Sequence, residues 1–159
     1  MSIFLPTIIL RHRKENLKKC SLSGLEKRSD LRFYRYPDGL ISLPSLENYF
    51  ILDLSAPVLT KEDGSMGILL VDGTWKYAEK MVKTLPLLPK RSLPQYFFTA
   101  YPRKQTGCED PDRGLASIEA LYLAHLLTGR DTIGLLNHYH WREDFLKSNH
   151  LMSPIGIKT

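Results

Sequence analysis

The segment that decides the fold of this chain is Ile68-Leu69-Leu70-Val71-Asp72-Gly73-Thr74-Trp75-Lys76-Tyr77-Ala78-Glu79-Lys80-Met81. Four apolar, β-favouring residues precede Asp72, Gly73 permits a sharp turn, and a helical pattern begins at Trp75. In α/β proteins, ligands bind at the carboxyl ends of the strands. The first N–H groups of a following helix are also free there to bind an anion. We therefore expect the functional site at this strand-to-helix corner.

Similar patterns on either side of the corner predict the remaining elements. Apolar or aromatic runs predict strands at residues 4–10, 31–36, 49–54, 68–71 and 96–100. Helical periodicity predicts helices at residues 75–83, 115–129 and 133–149. Strands that come first and then alternate with helices predict an α/β layer with helices on the faces of the sheet.

The composition is that of a soluble globular protein, with 43% hydrophobic and 25% charged residues among 159. This length suits one well-cored domain or two small lobes that share an interface. No apolar run approaches the roughly 20 residues that span a bilayer. The opening run at 3–10 contains Pro6 and has no basic residue before it, so we expect a strand there and not a signal peptide. Cys20 and Cys108 lie far apart without a CxxC partner, which favours a cytoplasmic protein with free thiols and no structural zinc.

The net charge of +5 is concentrated near the amino terminus. Residues 11–35 contain nine basic and three acidic residues, a net charge of +6, and the rest of the chain is close to neutral. A basic patch confined to one segment favours a polyanionic partner, nucleic acid first. The alternative is a solvated basic face with no partner.

Asp72 and Trp75 are the leading candidates for a chemical role. A carboxylate at a strand end, partly shielded from water by Trp75, could act as a general base or orient an N–H group of a substrate. Alternatively, Asp72 or Thr74 caps the helix, a contribution of about 1 kcal/mol. Trp75 could line a ligand pocket or simply be the first core residue of its helix. Spacing alone leaves both pairs of interpretations open.

A second candidate is the segment 113–120, which includes Gly114 and Ser117. Gly114 permits a close backbone approach, and Ser117 lies near a helix start where free amides could bind a carboxylate or phosphate. The alternative is an ordinary helix start, in which Glu119 is a first-turn acid that the helix dipole stabilises.

Two further segments are weighed against ordinary surface roles. His138 and His140 are two residues apart on a predicted helix, so their rings point to different faces and no metal site is expected. The run Tyr101-Pro102-Arg103-Lys104-Gln105 mixes an aromatic ring with basic side chains and could hold a single-stranded nucleotide, or it could be a solvated loop.

Taken in order, five short motifs resemble the DTW-domain superfamily of SPOUT-like aminocarboxypropyltransferases, nearest to the branch that modifies small-subunit ribosomal RNA. The match runs from about residue 11 to residue 149. The motifs are Lys18-Lys19-Cys20-Ser21, Asp72-Gly73-Thr74-Trp75, Ala100-Tyr101-Pro102, Leu115-Ala116-Ser117-Ile118-Glu119-Ala120 and Tyr139-His140-Trp141-Arg142-Glu143-Asp144-Phe145-Leu146.

The resemblance implies an α/β fold with a SPOUT-like, trefoil-knotted C-terminal half at residues 67–159 and a small β-rich, basic N-terminal lobe at residues 1–66. It also implies transfer of a 3-amino-3-carboxypropyl group from S-adenosylmethionine to a uridine or pseudouridine of RNA, ribosomal RNA favoured over transfer RNA, by a cytoplasmic monomer without a metal. Two alternative functions stay open: a SPOUT-type RNA methyltransferase and a non-catalytic RNA-binding factor of ribosome assembly.

The same resemblance assigns roles to individual residues. Asp72 is the candidate base and Trp75 lies beside the transferred chain. The cofactor contacts that it implies come from Ser21, Leu59, Leu70, Leu93 and Ser117. For the RNA backbone, the basic residues expected to contribute are Arg11, Arg13, Lys14, Lys18, Lys19, Arg28, Arg103 and Lys104.

Overall fold

A computed structural model describes residues 4–14, 21–53, 56–102, 115–153 and 156–157 of the chain. Its centre is a five-stranded sheet in the order β2-β1-β4-β3-β5, in which every neighbouring pair is parallel. The strands are β1 (Thr7–His12), β2 (Leu31–Tyr36), β3 (Tyr49–Leu52), β4 (Gly67–Asp72) and β5 (Lys90–Arg91). Because all five run in one direction, their carboxyl ends meet at a single edge.

Three α-helices and several short elements complete the described chain. The α-helices are α1 (Trp75–Lys83), α2 (Ser117–Leu127) and α3 (Arg142–Ser148). Short 3-10 helices lie at Asp38–Ser42 and Lys61–Ser65, and a small antiparallel pair is formed by β6 (Met152–Ser153) and β7 (Gly156–Ile157). Within these described ranges, no helix is long and apolar enough to cross a membrane.

Alternation along the strands divides the core between the two faces of the sheet. Ile9 and Leu70 pack on one face in a cluster with Tyr122 of α2 and Phe145 of α3. Their sequence neighbours on the strands turn to the other face, where Leu10 and Leu69 pack with Met81 of α1. This division arises because successive side chains of a strand point to opposite faces of the sheet. Since both faces are covered, the strands can be almost wholly apolar, as β1 and β4 are.

The strands predicted at residues 4–10, 31–36, 49–54 and 68–71 are confirmed with small shifts of their ends, and α1 has the predicted bounds. The α/β class is likewise confirmed, with helices on both faces of the sheet. The division at residue 66 stays a prediction; strands from both predicted segments join one sheet, since β1 pairs with β4.

Two predicted elements are wrong. Residues 96–100 do not form a buried strand, because Phe97 alone enters the core while Tyr96 and Phe98 face solvent. The helix predicted at 133–149 begins only at Arg142. Residues 133–141 form successive turns, in which Gly134 adopts a positive φ of 82° that a helix does not allow.

Candidate functional site

Asp72 is the last residue of β4, and the parallel register places it beside Arg11 of β1. The Arg11 Nε donates a hydrogen bond to Asp72 Oδ2 at 3.3 Å, and the Ser117 Oγ donates to Oδ1 at 2.7 Å. Only 3% of Asp72 is exposed. A carboxylate that loses this much hydration needs charged or hydrogen-bonding partners, and β1 and α2 supply them.

Arg11 bridges two carboxylates at this edge. Besides Asp72, it donates through Nη1 to Glu26 Oε2 at 3.1 Å, and its guanidinium lies 4.7 Å from the centroid of the Phe33 ring. Burial by itself would raise the pKa of Glu26, but N–H donation from the backbone of Gly24 and Glu26, together with Arg11, lowers it overall. With 11% of its side chain exposed, Arg11 directs its charge toward these two carboxylates, and its predicted RNA contact stays a prediction.

Ser21 lies next to the start of α2. Its Oγ accepts a hydrogen bond from the N–H of Ile118 at 3.1 Å. The N-cap residue of α2 is Ala116, whose methyl group cannot accept such a bond. A first-turn amide of α2 is thus capped by a residue distant in sequence, which brings the predicted sites Ser21, Asp72 and Ser117 together.

Glu119 ties two more segments to the first turn of α2. Its carboxylate is completely buried and accepts four hydrogen bonds. The donors are Thr99 Oγ1 at 2.6 Å, and the Ala100 N–H, the Ala116 N–H and the Tyr139 hydroxyl at 2.8 Å each. These donors compensate for the water that the carboxylate loses. Each of the five motifs in the sequence analysis therefore has a described residue that belongs to the first turn of α2 or is hydrogen-bonded to it.

The motif at residues 139–146 contributes an aromatic cluster near this end of α2. The Trp141 ring lies edge-on to Tyr101 at 5.2 Å, to His140 at 4.9 Å and to Tyr139 at 6.0 Å between centroids. His138 and His140 are both exposed. Over the described parts of the chain, no three His, Cys, Asp or Glu side chains are grouped closely enough to hold a metal ion.

Leu59 and Leu93 lie in the loops that follow β3 and β5, and Leu70 lies in β4. The N–H of Leu59 donates to the carbonyl of Ser92 at 2.7 Å, which joins the loop after β3 to the loop after β5. Leu93 is partly buried and packs against both the cluster that contains Leu70 and the cluster that contains Leu59. The result is an apolar region at the carboxyl ends of β3, β4 and β5.

The basic residues fall into distinct groups. Arg13 and Lys14 are exposed directly after β1. Arg28 instead forms a two-point ion pair with Asp30, at 2.9 and 2.8 Å, and approaches Asp131 at 3.8 Å. The remaining candidates lie outside the described residues, namely Lys18, Lys19, Arg103 and Lys104, as do both cysteines and the side chain of Trp75.

Sequence reasoning missed the roles of Arg11 and Glu119. Arg11 occurs in a basic run, which conceals its pairing with an acid 61 residues away. Glu119 carried a usable signal, because it interrupts an otherwise apolar stretch of α2. Acids are almost never fully buried unless they are paired or hydrogen-bonded.

The fold and this arrangement define an α/β protein with a candidate ligand site at the carboxyl edge of a parallel sheet. No protein-family model matches the chain, and no curated protein sequence matches it. Among solved structures, it is similar to the SAM-dependent rRNA:acp-transferase Tsr3 from Vulcanisaeta distributa. The match has a TM-score of 0.67 and 23% identity, and it covers 92% of this chain and 79% of that one. The two proteins share a fold.

Proposed function

We propose that this chain transfers a 3-amino-3-carboxypropyl group from S-adenosylmethionine to a uridine or pseudouridine of RNA, with ribosomal RNA as the favoured substrate. The observation that carries the proposal is the contact of Asp72 with Ser117 at the carboxyl edge of a sheet whose fold matches Tsr3. The proposal includes a SPOUT-like, trefoil-knotted half at residues 67–159, an N-terminal lobe at residues 1–66, and a cytoplasmic monomer.

The residues at this edge fit the parts of the cofactor. The apolar region of Leu59, Leu70 and Leu93 suits an adenine ring, which apolar side chains and backbone groups would hold. The amino end of α2, with the Ser117 hydroxyl, suits a carboxylate because free N–H groups and the helix dipole favour negative charge. Ser21 accepts a hydrogen bond from the first turn of the same helix and would contact the methionine part.

Asp72 is the group that we assign to proton transfer. A uridine ring nitrogen carries its proton at neutral pH, so a positioned carboxylate assists its attack by accepting that proton. When bound, S-adenosylmethionine would supply an electrophilic carbon on its sulfonium, and orientation in the pocket would select the carbon that reacts. Formation of the new carbon–nitrogen bond would break the bond from that carbon to sulfur and release the neutral thioether methylthioadenosine. Arg11 and Ser117 hold the two carboxylate oxygens of Asp72 and so fix the direction in which it faces. We place Trp75 beside the transferred chain, since it begins the helix that follows Asp72.

The RNA backbone would follow the exposed basic residues next to this edge. Arg13 and Lys14 come directly after the carboxyl end of β1, whose Arg11 touches Asp72. Lys18, Lys19, Arg103 and Lys104 would extend the same surface. Because these contacts displace counterions from phosphates, RNA affinity should fall steeply as salt is raised.

Two measurements test the proposal. Titration of the full chain with S-adenosylmethionine should give saturable binding, and its absence would overturn the assignment. Mass spectrometry of RNA nucleosides from a strain that lacks the protein should then show loss of an aminocarboxypropyl adduct. Loss of a methyl group would indicate a methyltransferase instead. Loss of neither, with defective ribosome assembly, would indicate a non-catalytic RNA-binding factor.

A further inference from the structure

Two large aromatic side chains that the candidate site does not use are held at the surface. Tyr96 is 68% exposed and Phe98 is 59% exposed, while Phe97 between them is only 7% exposed and belongs to the core. Burial of an aromatic ring stabilises a folded protein, and neither of these two rings gains that stabilisation in the chain alone. Neighbouring exposed aromatic rings of this kind mark an interaction surface.

The segment that carries the rings is fixed by its neighbours. The Asn149 Oδ1 accepts the N–H of Phe98 at 2.7 Å, and its Nδ2 donates to the Phe98 carbonyl at 2.9 Å. The same Nδ2 donates to the carbonyl of Phe145 in α3 at 2.9 Å. With Phe97 in the core as well, the backbone at Phe98 is held on both sides. The ring of Phe98 is therefore displayed from a rigid position, which reduces the entropy that a partner must remove on binding.

This exposed pair is directly continuous with the candidate site. Thr99 and Ala100 follow Phe98 and are bound by Glu119 in the first turn of α2. That turn also carries Ser117, which contacts Asp72. The segment that carries the rings is therefore attached to the same helix turn that contacts Asp72.

The charge of the surrounding sequence selects the partner. The exposed Lys147 and His150 lie on either side of Asn149, whose side chain bonds both backbone groups of Phe98. Single-stranded nucleic acid is the polyanion that uses exposed aromatic rings, because each base can stack on a ring face while lysine and arginine neutralise phosphates.

We propose that Tyr96 and Phe98 form a stacking platform for bases of single-stranded RNA that flank the nucleotide held at Asp72. This inference rests on the proposed function for the identity of that nucleotide. The platform itself makes a claim about RNA binding that is measurable without catalysis.

The test measures binding of a fluorescein-labelled oligouridine of about twelve nucleotides to the full chain by fluorescence anisotropy. Tyr96→Ala and Phe98→Ala should each raise the Kd about fivefold or more, since stacking contributes about 1–3 kcal/mol per base. Tyr96→Phe and Phe98→Tyr keep the ring face and should stay close to the unsubstituted protein. Ile133→Ala removes another exposed apolar side chain, 72% exposed in a turn before α3, and should leave the Kd unchanged.

Thermal unfolding and S-adenosylmethionine titration of the same variants separate the possible failures. Alanine variants that bind oligouridine with unchanged Kd would overturn the platform, as would failure of the unsubstituted protein to bind oligouridine at low salt. A conservative exchange that weakens binding as much as alanine does would also contradict stacking. If RNA binding depends on the rings but no cofactor binds, the platform stands and the proposed function fails.

Discussion

The Ser117 hydroxyl donates a hydrogen bond to Asp72 Oδ1 at 2.7 Å, joining the first residue of α2 to the last residue of β4. The contact bears on the question of whether Asp72 is only a helix cap. The N-cap position of α1 belongs to Thr74, while the carboxylate of Asp72 reaches Ser117 and Arg11. Since a hydroxyl donates a single hydrogen bond, a ligand carboxylate at Ser117 would compete with Asp72 for it. Binding of a cofactor carboxylate at Ser117 is therefore expected to release Asp72 Oδ1 from this hydrogen bond.

Replacing Asp72 by asparagine should lower turnover strongly and leave cofactor affinity largely intact. Asparagine keeps the size of the side chain and can still accept the Ser117 bond, but it cannot take a proton. Loss of a general base typically costs 10²- to 10⁴-fold in rate. Single-turnover transfer to RNA and a binding titration give the two quantities.

Asp38→Asn is the matched control for this change, because that side chain is 68% exposed and pairs only loosely with Arg35. Turnover that is equal in Asp72→Asn and the unsubstituted protein would remove Asp72 from proton transfer. Arg11 retains Glu26 as a partner in the variant, so we expect it to fold.

Ser117→Ala should weaken S-adenosylmethionine binding by about tenfold. A hydrogen bond to a charged group contributes about 1.5–3 kcal/mol, and 1.4 kcal/mol corresponds to a factor of ten. Isothermal titration calorimetry measures the Kd, with Ser148→Ala at the exposed end of α3 as the control. An unchanged Kd in Ser117→Ala would place the cofactor carboxylate elsewhere.

Glu119→Gln should destabilise the protein by about 1–3 kcal/mol. Each Glu119 oxygen accepts one backbone N–H, from Ala116 or from Ala100. An amide offers only one oxygen, so in either orientation its NH₂ group faces a backbone donor and leaves that N–H unsatisfied.

Urea unfolding of Glu119→Gln gives the free energy difference, and Glu143→Gln in the exposed first turn of α3 provides the comparison. A loss for Glu119→Gln no larger than for Glu143→Gln would mean that the carboxylate does not hold these segments together.

His125 should make the folded state sensitive to mild acid. Burial lowers its pKa from the ordinary 6.5 to about 4, an effect that hydrogen bonding to the Asp131 carbonyl only partly opposes. The unfolded state then binds the proton more readily between pH 6.5 and 4. Stability is therefore complete above pH 6.5 and decreases as the pH falls toward 4, by about 2 kcal/mol at pH 5.

The measurement compares urea unfolding at pH 7 and pH 5 for the unsubstituted protein, His125→Gln and the exposed His150→Gln. Only His125→Gln should reduce the difference between the two pH values. The loss of hydrogen bonds to Thr7 and Asp131 lowers the stability of this variant equally at both pH values. It therefore does not affect the difference between the unfolding free energies at pH 7 and pH 5.

The strands and α1 could be predicted from sequence because local periodicity contains the information. The apolar residues of β1 and β4 are buried on both faces of the sheet, so these runs predict strands whatever their partner strands are. The turn at Gly73 depends only on the adjacent residues. The same local reasoning failed at residues 96–100. An aromatic run favours a strand by propensity, but the N–H groups of this segment donate hydrogen bonds to Asn149 and Glu119, which hold it outside the sheet.

By itself, the sequence determined the strand-to-helix corner at Asp72 and the short motifs around it, because each depends on neighbouring residues alone. Only the tertiary structure decided that Arg11 pairs with Asp72, that Ser21 caps α2, and that Glu119 fastens three segments together. These contacts depend on strand order and on parallel register, which bring residues up to about a hundred positions apart to one edge of the sheet. A buried charge must be paired or hydrogen-bonded with groups that the fold brings next to it. No local sequence pattern specifies which groups these are.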